Sequence, residues 1–143
     1  MRTQARVIIV GAGIAGCSAA YHLAGLGWKD ILVIDRGTLF ETGGSTTYAP
    51  GLIFQTHTSH MMTNFARYTV NLLKPLRYAG EPCLHQVGGI EVAYTTERWA
   101  DLKRKQGVAM SYGVENALLT SQEVKAKVPL IDERAIIGGF FGL

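Results

Sequence analysis

Residues 5–17 read ARVIIVGAGIAGC, and the chain runs on to ILVIDR at 31–36. The order is an apolar strand, a Gly-x-Gly-x-x-Gly turn, a helix, and a second apolar strand ending in an acid. Each part answers a demand made by a bound dinucleotide. Gly11 permits the tight turn. Gly13 has no side chain, so the backbone can approach a pyrophosphate, and Gly16 lets the helix pack closely on the strand. The helix start at Ile14 and Ala15 presents free N–H groups and a positive dipole end to the anion. Asp35, 19 residues after Gly16, stands where a carboxylate bonds ribose hydroxyls. The fold class that follows is α/β, opening with the βαβ unit of a Rossmann-like domain.

A rival reading of the same stretch is an export signal. Arg2 and Arg6 give a basic start, Val7–Ala15 an apolar run, and the residues at 14–17 resemble a lipoprotein cleavage box. Two features favour the dinucleotide turn. The glycines interrupt the apolar run at the spacing a phosphate turn needs. The helical pattern also continues past Cys17, with Ala15, Ala19, Leu23 and Leu26 at steps of four and three and Gly27 at the C-cap.

With 143 residues the chain is read as one unit, 1–143. Its hydrophobic content of 48% suits a packed core, and no stretch is long and clean enough to span a bilayer. Two cysteines do not make a disulfide framework, which points to a reducing, cytoplasmic setting. Cys17 is expected to be a small packing residue and Cys83 a loop residue. The net charge of +3 is mild, and Lys103-Arg104-Lys105 is the one basic run. It reads as the solvated end of a helix rather than a nucleic-acid patch, because no aromatic or basic cluster accompanies it.

Residues 36–59 form a long stretch rich in Gly, Ser, Thr and Pro. A loop of that length is usually functional or disordered, and its apolar content argues against disorder. Residues 60–77 read as a helix that Pro75 should end or kink. Its stripe of Met61, Phe65, Tyr68, Leu72 and Leu76 is expected to face a core. Val87–Ala93 reads as a strand and Thr96–Gly107 as a helix. Thr120 and Glu123 have capping-box spacing ahead of a short helix that stops before Pro129. Ala135–Ile137 is expected to begin another strand. A single βα unit gives only two adjacent parallel strands, whereas parallel sheets normally hold several and are buried on both faces. The apolar Phe140-Phe141 ending adds to the expectation of a truncated domain.

The segments Gly43-Gly44-Ser45-Thr46 and Ala49-Pro50-Gly51-Leu52 resemble the dimethylglycine/sarcosine dehydrogenase and oxidase family, FAD-dependent enzymes of the amino-acid oxidase type. Gly27-Trp28, Asp35-Arg36-Gly37, the run 87–93 and Val128-Pro129-Leu130 extend the resemblance over nearly the whole chain. The resemblance implies the start of a Rossmann-like FAD-binding domain. Gly11, Gly13, Ile14, Ala15 and Gly16 would face the FAD pyrophosphate, and Asp35 with Arg36 the adenosine ribose. Gly43, Gly44, Ser45, Thr46, Ala49, Pro50, Gly51 and Leu52 would run along the pyrophosphate and beside the flavin. Small residues there admit close backbone approach, and the Ser45 and Thr46 hydroxyls can donate. Composition alone leaves the loop equally readable as ordinary surface.

One departure from the family bears on the chemistry. Members often carry a flavin-linking histidine just before Ala-Pro-Gly, and here Tyr48 stands there. A phenol offers no imidazole nitrogen, so the FAD implied is non-covalent. His57 and His60, nine and twelve residues on, read as polar loop or helix-start residues. His22, His85, Glu91 and Glu115 show no partner in the sequence and carry no catalytic assignment, and no metal-ligand spacing appears.

The activity implied is oxidation of N-methylated glycine by hydride transfer to flavin, with the substrate-binding residues outside this chain and little turnover from it alone. An FAD enzyme acting on another amino acid or amine is one alternative. A non-catalytic fragment, or one half of a split enzyme completed by a second chain, is another. NAD in place of FAD would leave the Gly-Gly-Ser-Thr loop without a reason.

Overall fold

The computed structural model describes residues 4–38, 41 and 43–143. Arg2, with the rest of residues 1–3, and Leu39, Phe40 and Thr42 of the long loop lie outside them. The chain divides into two compact units, Met1–Leu52 and Ile53–Leu143.

In the first unit, β1 (Val7–Val10) pairs in parallel with β2 (Ile31–Ile34), Val7 opposite Ile31 and Val10 opposite Ile34. Both strands consist of Val, Ile and Leu, which suit a pleated surface. Helix α1 (Ile14–Gly25) connects them. It ends as its sequence predicts: Gly27 has φ +83°, its N–H donates to the Ala24 carbonyl, and the Trp28 N–H donates to the Leu23 carbonyl. That pair of bonds closes the helix in a Schellman motif, for which a left-handed glycine is the natural residue. The chain then re-enters β2 through Asp30, whose carbonyl and carboxylate both accept from the Arg6 N–H. Cys17 is exposed rather than packed; its thiol donates to the Ala12 carbonyl at 3.3 Å. Among the described residues the sheet has two strands, and Ile8 and Val10 remain 56% and 82% exposed.

The second unit is built on an antiparallel sheet in the order β5 (Gly89–Ala93), β7 (Gly138–Gly142), β6 (Asn116–Thr120). The expected strand at 135–137 is not there. Glu133–Ala135 is a turn of 3-10 helix, and the strand is the Gly-Gly-Phe-Phe-Gly that follows. Glycine is depleted in strands, which hides this one from a propensity reading. The glycines have a packing reason. A Cβ on Gly138 would lie 2.6 Å from the Leu119 carbonyl oxygen, and one on Gly139 would lie 2.8 Å from Val124.

Helix α3 (Thr96–Ser111) buries Leu102 and Ala109 with Ala93, Val114 and Phe140 on one face of this sheet. Helix α4 (Ser121–Lys127) buries Val124 with Leu119 and Ile136 on the other. Strand residues alternate between the two clusters, as the period of two requires. Both helices start on threonine caps: Thr95 accepts from the Arg98 N–H, and Thr120 and Glu123 form the full capping box. The basic run 103–105 lies within α3, which continues one turn past Gly107. Lys105 and Arg98 both grip Glu91 on β5.

Helix α2 (His60–Leu73) starts on Ser59 and ends before Pro75. A short hairpin, β3 (Arg77–Tyr78) and β4 (Glu81–Pro82), follows. The apolar stripe of α2 does not face a core. Met61, Phe65 and Tyr68 are exposed, and the buried side carries Thr63 and Val70. Polar anchors set that orientation: the Thr63 hydroxyl donates to the His57 carbonyl, and Arg67 donates to the Tyr112 carbonyl. Periodicity locates such a stripe but does not say what covers it.

Candidate dinucleotide site

The first unit gathers its chemistry at the carboxyl ends of β1 and β2. The Gly11 N–H donates to the Ile34 carbonyl at 2.7 Å, which ties the turn to the end of the neighbouring strand. Gly11 has φ +104°, where an L side chain is strained, and open space where its Cβ would be. Gly16 is fixed by contact instead. A Cβ there would lie 1.9 Å from the Gly11 carbonyl oxygen, so any other residue would force the helix off the turn.

Asp35 is held by the same turn. Its carboxylate accepts from the Ala12 N–H at 2.7 Å and from the Gly37 N–H at 2.9 Å. The Ala12 bond first, and the Gly37 bond next, hold its pKa below the ordinary value of 3.8. At neutral pH the group is therefore an acceptor only. It suits a ligand presenting hydroxyl donors and repels one presenting a phosphate.

The 43–52 segment reaches this turn through one side chain. The Thr46 hydroxyl accepts from the Ile14 N–H, the first of α1, at 2.9 Å. A Cβ on Gly13 would come within 3.0 Å of that oxygen, so the missing side chain at Gly13 makes the approach possible. The segment folds locally into turns, with the Thr47 N–H on the Gly44 carbonyl at 3.0 Å and the Ala49 N–H on the Thr46 carbonyl at 3.4 Å. Gly43 and Gly51 take left-handed φ of +66° and +70° near its two ends. Helix α1 has no acid in its first turn and no side-chain bond from its N-cap Gly13, which leaves a positive helix end facing the turn.

The structure thus brings together Gly11, Gly13, Ile14, Gly16, Asp35 and Thr46. Ala15 is in the exposed first turn of α1. Arg36, Ser45, Ala49, Pro50, Gly51 and Leu52 are exposed. Tyr48 is 79% exposed. Two participants escaped the sequence reading. Ala12 supplies the N–H that orients Asp35, and Ile34 supplies the carbonyl that holds Gly11. Both act through backbone, and the only sequence signal is their adjacency to the named residues. Of the histidines, the His57 Nδ1 accepts from the Ser59 N–H, His60 opens α2, and His22 is bonded to the Ser18 carbonyl. Among the described residues no cluster has the make-up of a metal site, and no helix is long and apolar enough to cross a membrane.

The donor set fits a dinucleotide. Backbone N–H groups and a helix N-terminus favour the pyrophosphate, the Thr46 hydroxyl has its own proton left to donate, and Asp35 can accept from a diol.

Residues 6–142 match the family model described as FAD dependent oxidoreductase. The chain is 29% identical over 140 residues to the mitochondrial pyruvate dehydrogenase phosphatase regulatory subunit of Mus musculus, covering 96% of this chain and 16% of that protein. It is 30% identical over 143 residues to the mitochondrial sarcosine dehydrogenase of Homo sapiens, covering 97% and 15%. The crystal structure of L-proline dehydrogenase from P. horikoshii superposes with a TM-score of 0.84 at 24% identity, over 99% of this chain and 37% of that one. This last likeness is one of fold. The chain spans about a sixth of the length of these two curated relatives.

Proposed function

This chain belongs to the FAD-dependent oxidoreductase family, and from that premise we propose that it holds FAD non-covalently as part of an enzyme that oxidises N-methylated glycine. Gly11, Gly13, Ile14, Ala15 and Gly16 hold the pyrophosphate, Asp35 and Arg36 the ribose, and the 43–52 loop lies along the cofactor. The observation that carries the reading is the Thr46–Ile14 bond, which brings the loop onto the phosphate turn. When bound, the flavin supplies the hydride acceptor for the carbon beside the amine nitrogen. The chain's own share is to fix the dinucleotide: Thr46 donates to phosphate, and Asp35 accepts from the ribose diol. Tyr48 at the position before Ala-Pro-Gly supports a non-covalent link, since a phenol lacks the imidazole nitrogen.

The methylglycine substrate is supported by the 30% identity to sarcosine dehydrogenase. A second reading, a flavoprotein part with a regulatory rather than a catalytic task, is supported by the 29% identity to a phosphatase regulatory subunit. Anaerobic addition of sarcosine or dimethylglycine to the FAD-loaded, intact gene product separates them. Bleaching of the flavin absorbance is expected for the enzyme. Bound flavin that neither amine reduces would overturn the methylglycine reading.

A further inference from the structure

The missing side chain of Gly13 leaves a space over the phosphate turn, and two groups compete for it. A pyrophosphate approaching the turn is one. The Thr46 hydroxyl is the other, and it stands there in this structure. A Cβ on Gly13 would lie 3.0 Å from the Thr46 hydroxyl oxygen and 3.8 Å from the Thr46 Cβ. The same oxygen accepts the Ile14 N–H at 2.9 Å, one of the helix-start donors that an anion would use. Thr46 therefore covers the seat that the cofactor reading gives to phosphate.

Residues 43–51, which carry Thr46, have the make-up of a strap. All are exposed. Two turn bonds, from the Thr47 N–H to the Gly44 carbonyl and from the Ala49 N–H to the Thr46 carbonyl, let the middle move as one piece. Gly43 and Gly51 at the ends take φ of +66° and +70°, and a Cβ on either would meet nothing within 4 Å. Packing does not require glycine there. Backbone freedom does, and these are the positions where the chain can swing without a steric penalty. The tie from Thr46 to α1 is one neutral hydrogen bond, worth a factor of about three to ten in an equilibrium. A tie of that strength holds a strap down most of the time and still lets it lift.

We propose that residues 43–51 form a strap over the phosphate turn, latched by Thr46 on Ile14 and hinged at Gly43 and Gly51, which lifts to admit the dinucleotide and closes on it. The proposal rests on the cofactor reading above and adds an order of events to it. The latch opens, the turn beside Gly13 becomes accessible, and Thr46 returns to the Ile14 N–H with its own proton directed at the phosphate.

Two measurements on the intact gene product, stripped of flavin, test this. The first is residue-resolved hydrogen exchange without FAD. The Ile14 N–H opens the helix and has no acceptor within α1, so its protection reports the latch. Thr46→Val is expected to speed its exchange about threefold or more, and Thr46→Ser to leave it near wild type. The second is stopped-flow mixing with FAD, read by flavin fluorescence. Loss of a simple contact would change the dissociation rate alone. Loss of a latch changes both rates. Thr46→Val is expected to bind FAD faster, by the same factor as its Ile14 exchange rises, and to release it faster still. An association rate unchanged or slower in Thr46→Val, or an Ile14 amide that exchanges as fast in wild type as in the variant, would overturn the strap and leave the cofactor reading standing. A protein that binds no FAD, with Ile14 still protected, would overturn the cofactor reading and the strap's gating task with it.

Discussion

The Thr46 hydroxyl accepts the first N–H of α1, that of Ile14, at 2.9 Å and across 32 residues of sequence. That bond makes one site out of two motifs that the sequence displays separately. It also orients the hydroxyl at the helix start. With one lone pair engaged by the Ile14 N–H, the Thr46 hydroxyl keeps its proton for a ligand, and the natural recipient beside a helix N-terminus is a phosphate oxygen.

Thr46→Val keeps the shape and removes the acceptor. The Ile14 N–H then loses its partner, and the loop loses its tie to the turn. FAD affinity, read by flavin fluorescence, is expected to fall about tenfold, the scale of one hydrogen bond at such a site. Thr46→Ser is expected to retain most of it. Equal affinities for all three proteins would show that the loop does not serve the cofactor.

Gly16→Ala and Gly11→Ala test two different demands on glycine. At Gly16 the new methyl would meet the Gly11 carbonyl oxygen at 1.9 Å, and helix or turn must move. A loss of about 2–3 kcal/mol in urea unfolding, with FAD binding abolished, is expected from overpacking of this kind. At Gly11 there is open space and only the positive φ, so about 1 kcal/mol is expected. A Gly16 variant no worse than the Gly11 variant would contradict the packing described.

The Asp35 carboxylate is ionised by its place in the turn. A carboxyl pKa lowered on folding contributes stability that is present above its unfolded value and lost as pH falls through the folded value. The Ala12 and Gly37 amide signals should therefore titrate together with a midpoint below 3.8. A titration midpoint at or above 3.8 would mean that the two N–H bonds do not form. Asp35→Asn should abolish the transition.

Gly139→Ala tests the glycine strand at the centre of the second unit. Its methyl would sit 2.8 Å from Val124 and 3.1 Å from Ile90. A destabilisation of about 1–3 kcal/mol is expected, again from overpacking. A neutral result would mean that α4 is not seated on β7.

The first unit was legible because its signals are local and stereochemical: branched residues for β1 and β2, glycines at fixed spacing, and an acid at a strand end. The capping box at Thr120 and Glu123 and the left-handed Gly27 read correctly for the same reason. Failures occurred where the decisive partner is distant in sequence. Gly138–Gly142 is a strand because Val124 and Trp99 press on it from both faces, and no propensity scale records that. The stripe at Met61, Phe65 and Tyr68 was periodic but faces outward, because Thr63 and Arg67 anchor the opposite side. Nothing in the spacing of Thr46 and Ile14 announced their bond; the family resemblance placed the loop near the turn, and the hydrogen bond supplies the contact.

The most direct measurement is the visible spectrum of the chain after incubation with FAD and desalting, followed by acid precipitation. A flavin band that travels with the protein and is then released to the supernatant is the predicted result, a formed site with a non-covalent cofactor. A colourless protein, or flavin that stays with the acid pellet, would contradict it.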